Sequence, residues 1–356
     1  MRGPSRFVAA LVSVVAVSSS VRAQTPNVPT DPIDAVVTAL ESHDLVGVPA
    51  GKDHLPSHDL MVRLLNDPRV VAAVDDIAVE FGTARYQDVA DRFVAGESVP
   101  ERELRRIWED TTVADTHWDL PIYEEFFRLV RDINQRTPPG QQIRVLLGDP
   151  PIEWEHVATA LEHREWVRDM ARDRHPAALI ELEVLDRGRK GLIYYGFGHL
   201  QRRKPTRRPD IHSIVGYLLA STEARVFTIM PAFGHRYHGL VGLQPDIGDW
   251  LPGQVSLLRG TVVGAAPWRL FNPIPESKRA GDALAEVTLA EQFDAIVYFG
   301  PPEEQGLSEL DPARCLDDEW MTMRLGRLAL VSETMPPGSG SPRDRLLDYC
   351  DAVAGR

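Results

Sequence analysis

Residues 191–199 read Gly191-Leu192-Ile193-Tyr194-Tyr195-Gly196-Phe197-Gly198-His199, an apolar run that ends in a Gly-x-x-His motif. The run lacks polar alternation, which is typical of a strand buried on both faces of a sheet. The pattern also occurs earlier, where an apolar run over 45–49 leads into Gly51-Lys52-Asp53-His54. Residues just past the ends of parallel strands face a common crevice, in which α/β proteins bind ligands. The two motifs therefore predict a parallel sheet and the edge that holds its site.

Short apolar runs predict strands, and amphipathic segments predict helices between most of them. The predicted strands are Leu45–Pro49, Ile77–Phe81, Ile143–Leu147, Gly191–Tyr195, Val226–Met230 and Ala295–Phe299. The predicted helices include Ser57–Asn66, Tyr86–Ala95, Glu101–Glu109, Tyr123–Gln135, Trp154–Asp173, Ala177–Arg187 and Arg343–Val353. This order predicts an α/β fold with a mainly parallel sheet, crossover helices on both faces and a helical insertion.

Two segments depart from a simple alternation. The helical insertion, at about 86–137, contains more helices than one crossover requires, so it either caps the strand ends or extends the outer layer. Residues 234–275 are rich in Gly, Pro and Trp. We interpret them as an irregular excursion with a small hairpin.

The N-terminus has the pattern of a secretory signal peptide. Arg2 and Arg6 precede an apolar stretch over 7–21, and Ala23 precedes a predicted cleavage site. The stretch is short and serine-rich for a membrane span, and no later segment is long enough. An uncleaved anchor is the alternative. We expect a secreted or periplasmic protein with a signal peptide over 1–23, a linker over 24–32, one α/β domain over 33–335, and a linker with a last helix over 336–356.

Composition narrows the range of partners. The chain has 356 residues, with 39 Lys and Arg against 52 Asp and Glu, and a net charge of −13. An acidic surface argues against nucleic acid and anionic membranes as partners. The basic cluster over 202–208 is interpreted as a solvated loop. Export would permit a disulfide between Cys315 and Cys350, and the alternative is two unrelated buried thiols.

Histidine or acidic side chains follow most of the predicted strands. His54 follows the first strand, Glu80 ends the second, Asp149 ends the third and His199 follows the fourth. Singly, each histidine would be a structural residue, but their matching contexts favour a site. Two histidines and a glutamate would hold a divalent metal such as Mn, Co or Zn, or move a proton.

These carboxylates also have structural alternatives. A salt bridge to Arg85 or Arg144 would satisfy Glu80, which a buried strand would otherwise leave as an unpaired charge. Asp149 would cap a turn or the helix at Trp154.

Other histidines carry less weight as candidates. His58 would share a face with His54 only if its helix begins early. His117 is interpreted as part of a helix start beside a packed Trp, and His235 and His238 lie in an ambiguous loop. No Gly-x-Ser-x-Gly elbow is present, which disfavours a serine hydrolase of the usual α/β type. No phosphate loop or complete Gly-x-Gly-x-x-Gly follows the first strand.

Taken together, these motifs resemble the erythromycin esterase / ChaN-like superfamily, which also includes the TraB and Tiki proteins. Its members share a Gly-x-x-His after the first strand, a Glu at the end of the second, and a second Gly-x-x-His late in the fold. Here these match Gly51–His54, Glu80 and Gly196–His199. Segments 76–82 and 145–151 resemble a bacterial branch of exported proteins in that group. The likeness runs from about residue 31 to about residue 300.

The resemblance implies an α/β fold with a parallel core and allows three activities. Erythromycin esterases open a macrolactone with a histidine as general base, Tiki proteins are described as metal-dependent proteases that use both motifs, and ChaN-like proteins bind haem. One residue departs from the esterase pattern, which has Glu directly after the first Gly, where this chain has Lys52. Asp53 would compensate only partly, because its side chain points differently. Lys52 would instead pair with Glu80 or bind an anionic substrate.

Three hypotheses follow. The leading one is a secreted hydrolase of an ester or amide bond in a small molecule or peptide, with a metal or a water held by His54, Glu80 and His199. Asp149 and Arg85 would then serve as a second carboxylate and an oxyanion or substrate contact. The second is a non-catalytic haem- or metal-binding protein. The third is a degenerate, inactive scaffold.

Overall fold

The computed structural model of the chain describes residues 24–169, 172–204, 212–272, 287–332 and 341–355. The predicted signal peptide over 1–23 lies outside the described residues. So do residues 205–208 of the basic cluster and 336–340 of the predicted second linker.

Seven strands form one sheet in the order β3-β2-β4-β1-β5-β7-β6. The strands are β1 (Leu45–Ala50), β2 (Asp76–Thr83), β3 (Arg144–Asp149), β4 (Gly191–Gly196), β5 (Val226–Ala232), β6 (Val255–Leu257) and β7 (Ala295–Tyr298). Neighbouring strands pair in parallel, except that β6 is antiparallel to β7. All six predicted strands are present, and the predicted α/β fold class is confirmed.

The helices lie between and after these strands. They are α1 (Pro32–Ser42), α2 (Leu55–Leu65), α3 (Pro68–Ala73), α4 (Gln87–Val94), α5 (Glu101–Glu109), α6 (Pro121–Arg136), α7 (Ala160–Asp169), α8 (Arg174–Ile180), α9 (Phe197–Leu200), α10 (Ile214–Ser221), α11 (His235–Leu243), α12 (Val262–Ala265), α13 (Leu289–Gln292), α14 (Asp318–Ser332) and α15 (Pro342–Ala354). Most are amphipathic, which is why they cover the sheet rather than stand apart from it.

Helices cover both faces of the sheet, as predicted. Alternate strand residues point to opposite faces, so Val79 and Phe81 pack on one side of β2 and Ala78 packs on the other. The first face carries α1 to α6 together with α14 and α15. The second face carries α8 to α13. The six predicted strands are consequently buried on both faces, which explains their mainly apolar sequences.

The helical insertion extends the outer layer of the first face. Phe81 of β2 packs against Tyr123 and Phe126 of α6, with ring centroids 4.6 and 5.3 Å apart. On the same layer, Asn134 of α6 donates to the carbonyl of Val94 at the end of α4. These contacts hold the insertion against the sheet rather than above its strand ends.

Three predicted elements differ from the structure. The helix predicted from 154 begins only at Ala160, because Trp154–His156 forms a 3-10 turn. The helix predicted over 177–187 begins earlier, as α8, and continues as a π-helical turn over Glu181–Leu185. The small hairpin predicted within 234–275 is wrong: the strand there, β6, pairs with β7 from outside that segment.

Both ends of the described chain are tied to the body. Buried Asn27 donates its side-chain amide to the carbonyl of Leu257, so the segment predicted as a linker lies along β6. The predicted disulfide between Cys315 and Cys350 is confirmed, and it joins α15 to the turn before α14. Among the described helices, none combines the length and apolar character that a membrane span requires.

Candidate functional site

The two Gly-x-x-His motifs start side by side and then separate. β1 and β4 are parallel neighbours, and Ala50 at the end of β1 pairs with Gly196 at the end of β4. The chain leaves β1 into α2 on the first face, whereas it leaves β4 into α9 and α10 on the second face. This divergence opens a crevice at the carboxyl edge of the sheet and sends the two histidines to opposite faces.

His54 is a buried N-cap of α2. Its Nδ1 accepts the backbone N–H of Ser57 at 3.2 Å, and its Nε2 donates to Oε1 of Gln305 at 2.8 Å. The rings of Phe233 and Phe299 each lie 5.0 Å from the imidazole, centroid to centroid. Burial lowers the pKa of His54, so the ring is neutral at neutral pH. Both ring nitrogens are therefore occupied by the protein itself.

Glu80 and His199 are brought together on the second face. Pairing of β2 with β3 and β4 loosens after Val79, which lets the Glu80 carboxylate turn toward the end of β4. There its Oε2 accepts the backbone N–H of Gly196 at 2.9 Å, and its Oε1 lies 3.2 Å from Nε2 of His199. The other nitrogen of His199, Nδ1, lies 2.7 Å from Oδ1 of Asp173. His199 thus bridges two carboxylates.

The charges of this cluster are set by mutual attraction. Burial would lower the pKa of His199, but Glu80 and Asp173 outweigh it and raise the pKa to about 9. Burial would likewise raise the pKa of Glu80, but His199, Arg172 and the Gly196 N–H hold it well below its usual range. At neutral pH the pair is an imidazolium facing a carboxylate.

Arg172 links Glu80 to Asp149, the other predicted acid. Its Nη2 donates to Oε1 of Glu80 at 2.8 Å, and its Nε lies 3.7 Å from Oδ1 of Asp149. Asp149 is fully buried and accepts both the backbone N–H and the hydroxyl of Thr112 at 2.6 Å. Burial raises the pKa of Asp149 to about 6, against the pull of Arg172 and Thr112. Asp149 therefore positions Arg172 and does not itself face solvent.

A buried hydroxyl without a partner lies on the same face. The Tyr195 side chain points to the second face, and its hydroxyl finds no hydrogen-bond partner among the described residues. Burial raises its pKa well above the usual value, and the charges of Glu80 and Asp149 add to the effect. Such a group is normally satisfied by a bound water or ligand.

Access to the cluster runs past its cations, which are Arg172, His199 and Lys204, the last of them paired with Asp173. The side chain of Arg172 is 24% exposed and that of His199 is 18% exposed, whereas Glu80 is only 7% exposed. A substrate would therefore meet Arg172 and His199 before Glu80.

The remaining candidates lie elsewhere. Arg85 pairs with Glu155 at 2.5 Å rather than with Glu80. Lys52 is exposed, and its side chain makes no described contact with Glu80. His58 lies 3.6 Å from Glu125.

The other three candidate histidines also lie apart from Glu80. His235 and His238 are exposed on α11, and His117 pairs with Asp115.

The proposed metal ligands do not form one set. His54 is held by Ser57 and Gln305, while Glu80 and His199 are bonded to each other. In the part of the chain that the structure describes, no group of three or more His, Cys, Asp or Glu side chains is arranged to hold a metal ion. A metal would have to replace hydrogen bonds that already use every donor nitrogen of both histidines, so these residues do not fit the ligand set.

Two charged residues of the cluster, Arg172 and Asp173, have no sequence signal. They fall at the end of the helix predicted over 154–173, in the charged run Arg172-Asp173-Arg174, which resembles a solvated surface. Only the packing of this turn under β4 brings them to Glu80 and His199.

The comparison with solved structures finds this fold elsewhere. A succinoglycan biosynthesis protein matches with a TM-score of 0.51 and 9% identity, over 84% of this chain and 100% of that one. The erythromycin esterase EreC, in an open conformation, matches with a TM-score of 0.47 and 14% identity, over 78% and 94%. ChaN of Campylobacter jejuni, in a structure of cofacial haem binding, matches with a TM-score of 0.36 and 11% identity, over 56% and 86%.

These likenesses concern the fold alone. No protein-family profile and no curated protein sequence matches the chain. The succinoglycan biosynthesis protein, with its TM-score of 0.51, shows that this α/β fold occurs in another protein, and at 9% identity the likeness extends to the fold only.

Proposed function

We propose that the chain is a secreted hydrolase that cleaves an ester or amide bond of a small molecule or peptide at the pair formed by Glu80 and His199. The observation that carries this proposal is the 3.2 Å approach of Oε1 of Glu80 to Nε2 of His199 at the carboxyl edge of the sheet. The pair offers a proton acceptor beside a proton donor, which is the requirement for general acid–base hydrolysis.

The proposed reaction balances within this pair. Glu80 accepts a proton from water as the water oxygen bonds to the substrate carbonyl carbon. Nε2–H of His199 then donates its proton to the alkoxide or amine as the carbonyl-to-leaving-group bond breaks. Glu80 is now protonated and His199 neutral, and transfer of that proton across their 3.2 Å contact restores both groups.

Neighbouring groups support this chemistry. Arg172 is partly exposed beside Glu80, where a guanidinium would stabilise the oxyanion that forms on the carbonyl. Asp173 holds His199 through Nδ1 and fixes the orientation of Nε2. The unpartnered, buried Tyr195 hydroxyl would bind an internal water. His54 has a structural role in this proposal, and no metal takes part in it.

Secretion is part of the same proposal. The N-terminal signal pattern predicts export, and the disulfide between Cys315 and Cys350 supports it, because disulfides persist in oxidising compartments. The experiment is mass analysis of protein from the culture medium or periplasm, where loss of residues 1–23 is expected.

The two motifs provide a matched pair of variants for hydrolysis. His199→Gln and His54→Gln would be compared with the wild type on p-nitrophenyl acetate, a macrolactone and a fluorogenic peptide. Loss of the proton donor should lower kcat by about 10²- to 10⁴-fold in His199→Gln. His54→Gln should retain kcat, as should wild-type protein dialysed against EDTA.

Two outcomes would refute the proposal. One is a His199→Gln variant, folded by circular dichroism, that turns over as fast as the wild type. The other is a wild type that exceeds the buffer rate on none of the three substrates. Loss of activity in His54→Gln alone would move the site to the first face.

A cavity on the first face favours haem binding as a second candidate. It has a volume of about 570 Å³ and includes His117, whose Nδ1 pairs with Asp115. A carboxylate on Nδ1 orients a histidine to ligate through Nε2. The apolar part of its lining consists of Leu120, Leu310, Leu328, Pro342, Leu346 and Tyr349, and its charged part includes Asp53, Glu309 and Arg345. These residues fit a flat apolar group with one axial ligand.

Haem titration tests this candidate. Wild-type protein should give a saturable Soret band that His117→Ala lacks, since the axial ligand would be removed. A band of equal intensity in both proteins, or no band in either, would eliminate this site.

A further inference from the structure

Arg236 is a buried cation at the same edge of the sheet. It lies in the first turn of α11, just after β5, and is only 5% exposed. Its Nε donates to the carbonyl of Pro231 at 3.1 Å. None of the described carboxylates forms an ion pair or hydrogen bond with it. Burial lowers its pKa to about 10, so the guanidinium still carries its charge at neutral pH.

Two aromatic rings hold the guanidinium between the Gly-x-x-His motifs. Its Cζ lies 4.0 Å from the ring centre of Phe197 and 4.4 Å from that of Phe233. Phe197 directly follows β4, and Phe233 directly follows β5. Since β1 lies between β4 and β5 in the sheet, Arg236 sits over the carboxyl end of β1. This is the crevice where the chain leaves β1 and β4 toward opposite faces.

The turn before α11 is built to place this residue. Gly234 has φ +55° and ψ −133°, a conformation that side chains with a Cβ rarely adopt. The turn directs Arg236 back toward the sheet edge, while His235 stays exposed. Glycine adopts this conformation without strain, so the turn can bring Arg236 back to the sheet edge.

The energetics point to a ligand. A guanidinium removed from water without a carboxylate is unfavourable, and cation–π contacts with two rings offset only part of that. Nε already donates to the carbonyl of Pro231, so the planar edge formed by the two Nη groups remains for hydrogen bonds with a ligand. That planar edge suits the bidentate recognition of an oxyanion.

We propose that Arg236 binds the carboxylate or phosphate group of a small ligand in this crevice, with Phe197 and Phe233 contacting the apolar part next to that group. The inference goes beyond hydrolysis and does not depend on it, because binding is measured without turnover. Benzoate and phenyl phosphate distinguish the two sources of the oxyanion, and inorganic phosphate tests the need for the apolar part.

The experiment is calorimetric titration of full-length protein with these three anions, together with thermal melts. Arg236→Met is compared with Arg225→Met, a matched control at the opposite end of β5, where Arg225 is exposed and pairs with Asp44 at 3.1 Å. Wild type and Arg225→Met should bind at least one aromatic anion and melt at higher temperature with it. Arg236→Met should bind it at least about tenfold more weakly than the wild type. Arg236→Lys should bind it about tenfold more weakly, because an ammonium group lacks the planar fork of the guanidinium.

The melts separate ligand binding from a structural role. Without ligand, Arg236→Met should melt no lower than the wild type, since it removes an unpaired buried charge. The proposal fails if no anion binds the wild type, or if Arg236→Met binds as well as the wild type. It also fails if Arg236→Met is destabilised while Arg236→Lys keeps wild-type affinity. If Arg236→Met does not fold, unchanged affinity in Arg236→Lys is sufficient to overturn it.

Discussion

The two Gly-x-x-His motifs have the same pattern and opposite surroundings. His54 is neutral, caps α2, and lies among aromatic rings with Gln305. His199 is an imidazolium between the carboxylates of Glu80 and Asp173. Ala50, the residue before the first motif, pairs with Gly196, the first residue of the second motif, on neighbouring parallel strands. The motif therefore marks a strand-to-helix turn at the carboxyl edge, and the face that the chain then enters decides its chemistry.

The comparison also explains why one histidine is available for acid–base chemistry. On the first face, helices and the loop after β7 bury His54, and its hydrogen-bond partners there are neutral. On the second face, the acid that ends β2 meets the histidine that follows β4. Charge, rather than the Gly-x-x-His spacing, therefore distinguishes His199 from His54.

The largest expected effect comes from removing a charge from the cluster around His199. Glu80→Ala leaves Arg172 and His199 without their shared carboxylate in a buried setting, which should lower the free energy of unfolding by about 3–5 kcal/mol. Urea denaturation measures the free energy of unfolding. Glu155→Ala, which removes a half-exposed partner of Arg85, should change the free energy of unfolding by at most about 1 kcal/mol. Equal effects in both variants would contradict the buried network.

The second prediction uses pH to sharpen the contrast. The pKa of His199 rises from 6.5 to about 9 on folding, so its stabilisation is complete below pH 6.5 and is lost as pH rises toward 9. A shift of this size corresponds to about 3 kcal/mol. The wild type should lose that stability across this window in urea titrations, and His199→Gln should not. Parallel pH profiles for the two proteins would show that His199 does not carry the charge.

A smaller effect is expected from the neutral motif. His54→Ala removes the cap on Ser57 N–H and the bond to Gln305, and should lower the free energy of unfolding by about 2–3 kcal/mol. Asn is a good N-cap, so His54→Asn should recover about 1 kcal/mol. Both variants should keep wild-type pH dependence between 6.5 and 9. A change in that dependence would place His54 in the charged network.

The smallest effect comes from the glycines of the two motifs. A Cβ on Gly51 would lie 2.5 Å from Cβ of His54, so Gly51→Ala should lower stability by at least about 1 kcal/mol. A Cβ on Gly198 meets no atom within 4 Å, and Gly198→Ala should change stability by less than about 0.5 kcal/mol. Thermal melts compare the two. A larger loss of stability in Gly198→Ala than in Gly51→Ala would show that the second motif, and not the first, contains the tightly packed turn.

Much of the fold was predictable because strands buried on both faces need uninterrupted apolar runs. This is why Val226–Ala232 and Ala295–Tyr298 were found within two residues of their ends. β6 was missed, since three residues inside a Gly- and Pro-rich segment carry no periodic signal. The helix break before Ala160 was missed because a 3-10 turn has the same local propensities as a helix start.

The site was predictable only in part. Glu80, Asp149 and His199 were found from their places at strand ends, and the structure gathers them around Arg172. His54 was grouped with them because it follows a neighbouring strand. Its separation depends on which face α2 covers, which local sequence does not encode.

The sequence by itself determined the class of fold, the placement of His54, Glu80, Asp149 and His199 at the carboxyl edge of the sheet, and the disulfide candidates, because each rests on short-range apolar and polar patterning. The tertiary structure alone decided that Arg172 and Asp173 join Glu80 and His199, that Gln305 covers His54, and that Arg236 is buried without a carboxylate. Those contacts join residues distant in the chain. The charges and pKa values of these residues arise from burial and from neighbouring groups, which exist only after the chain has folded.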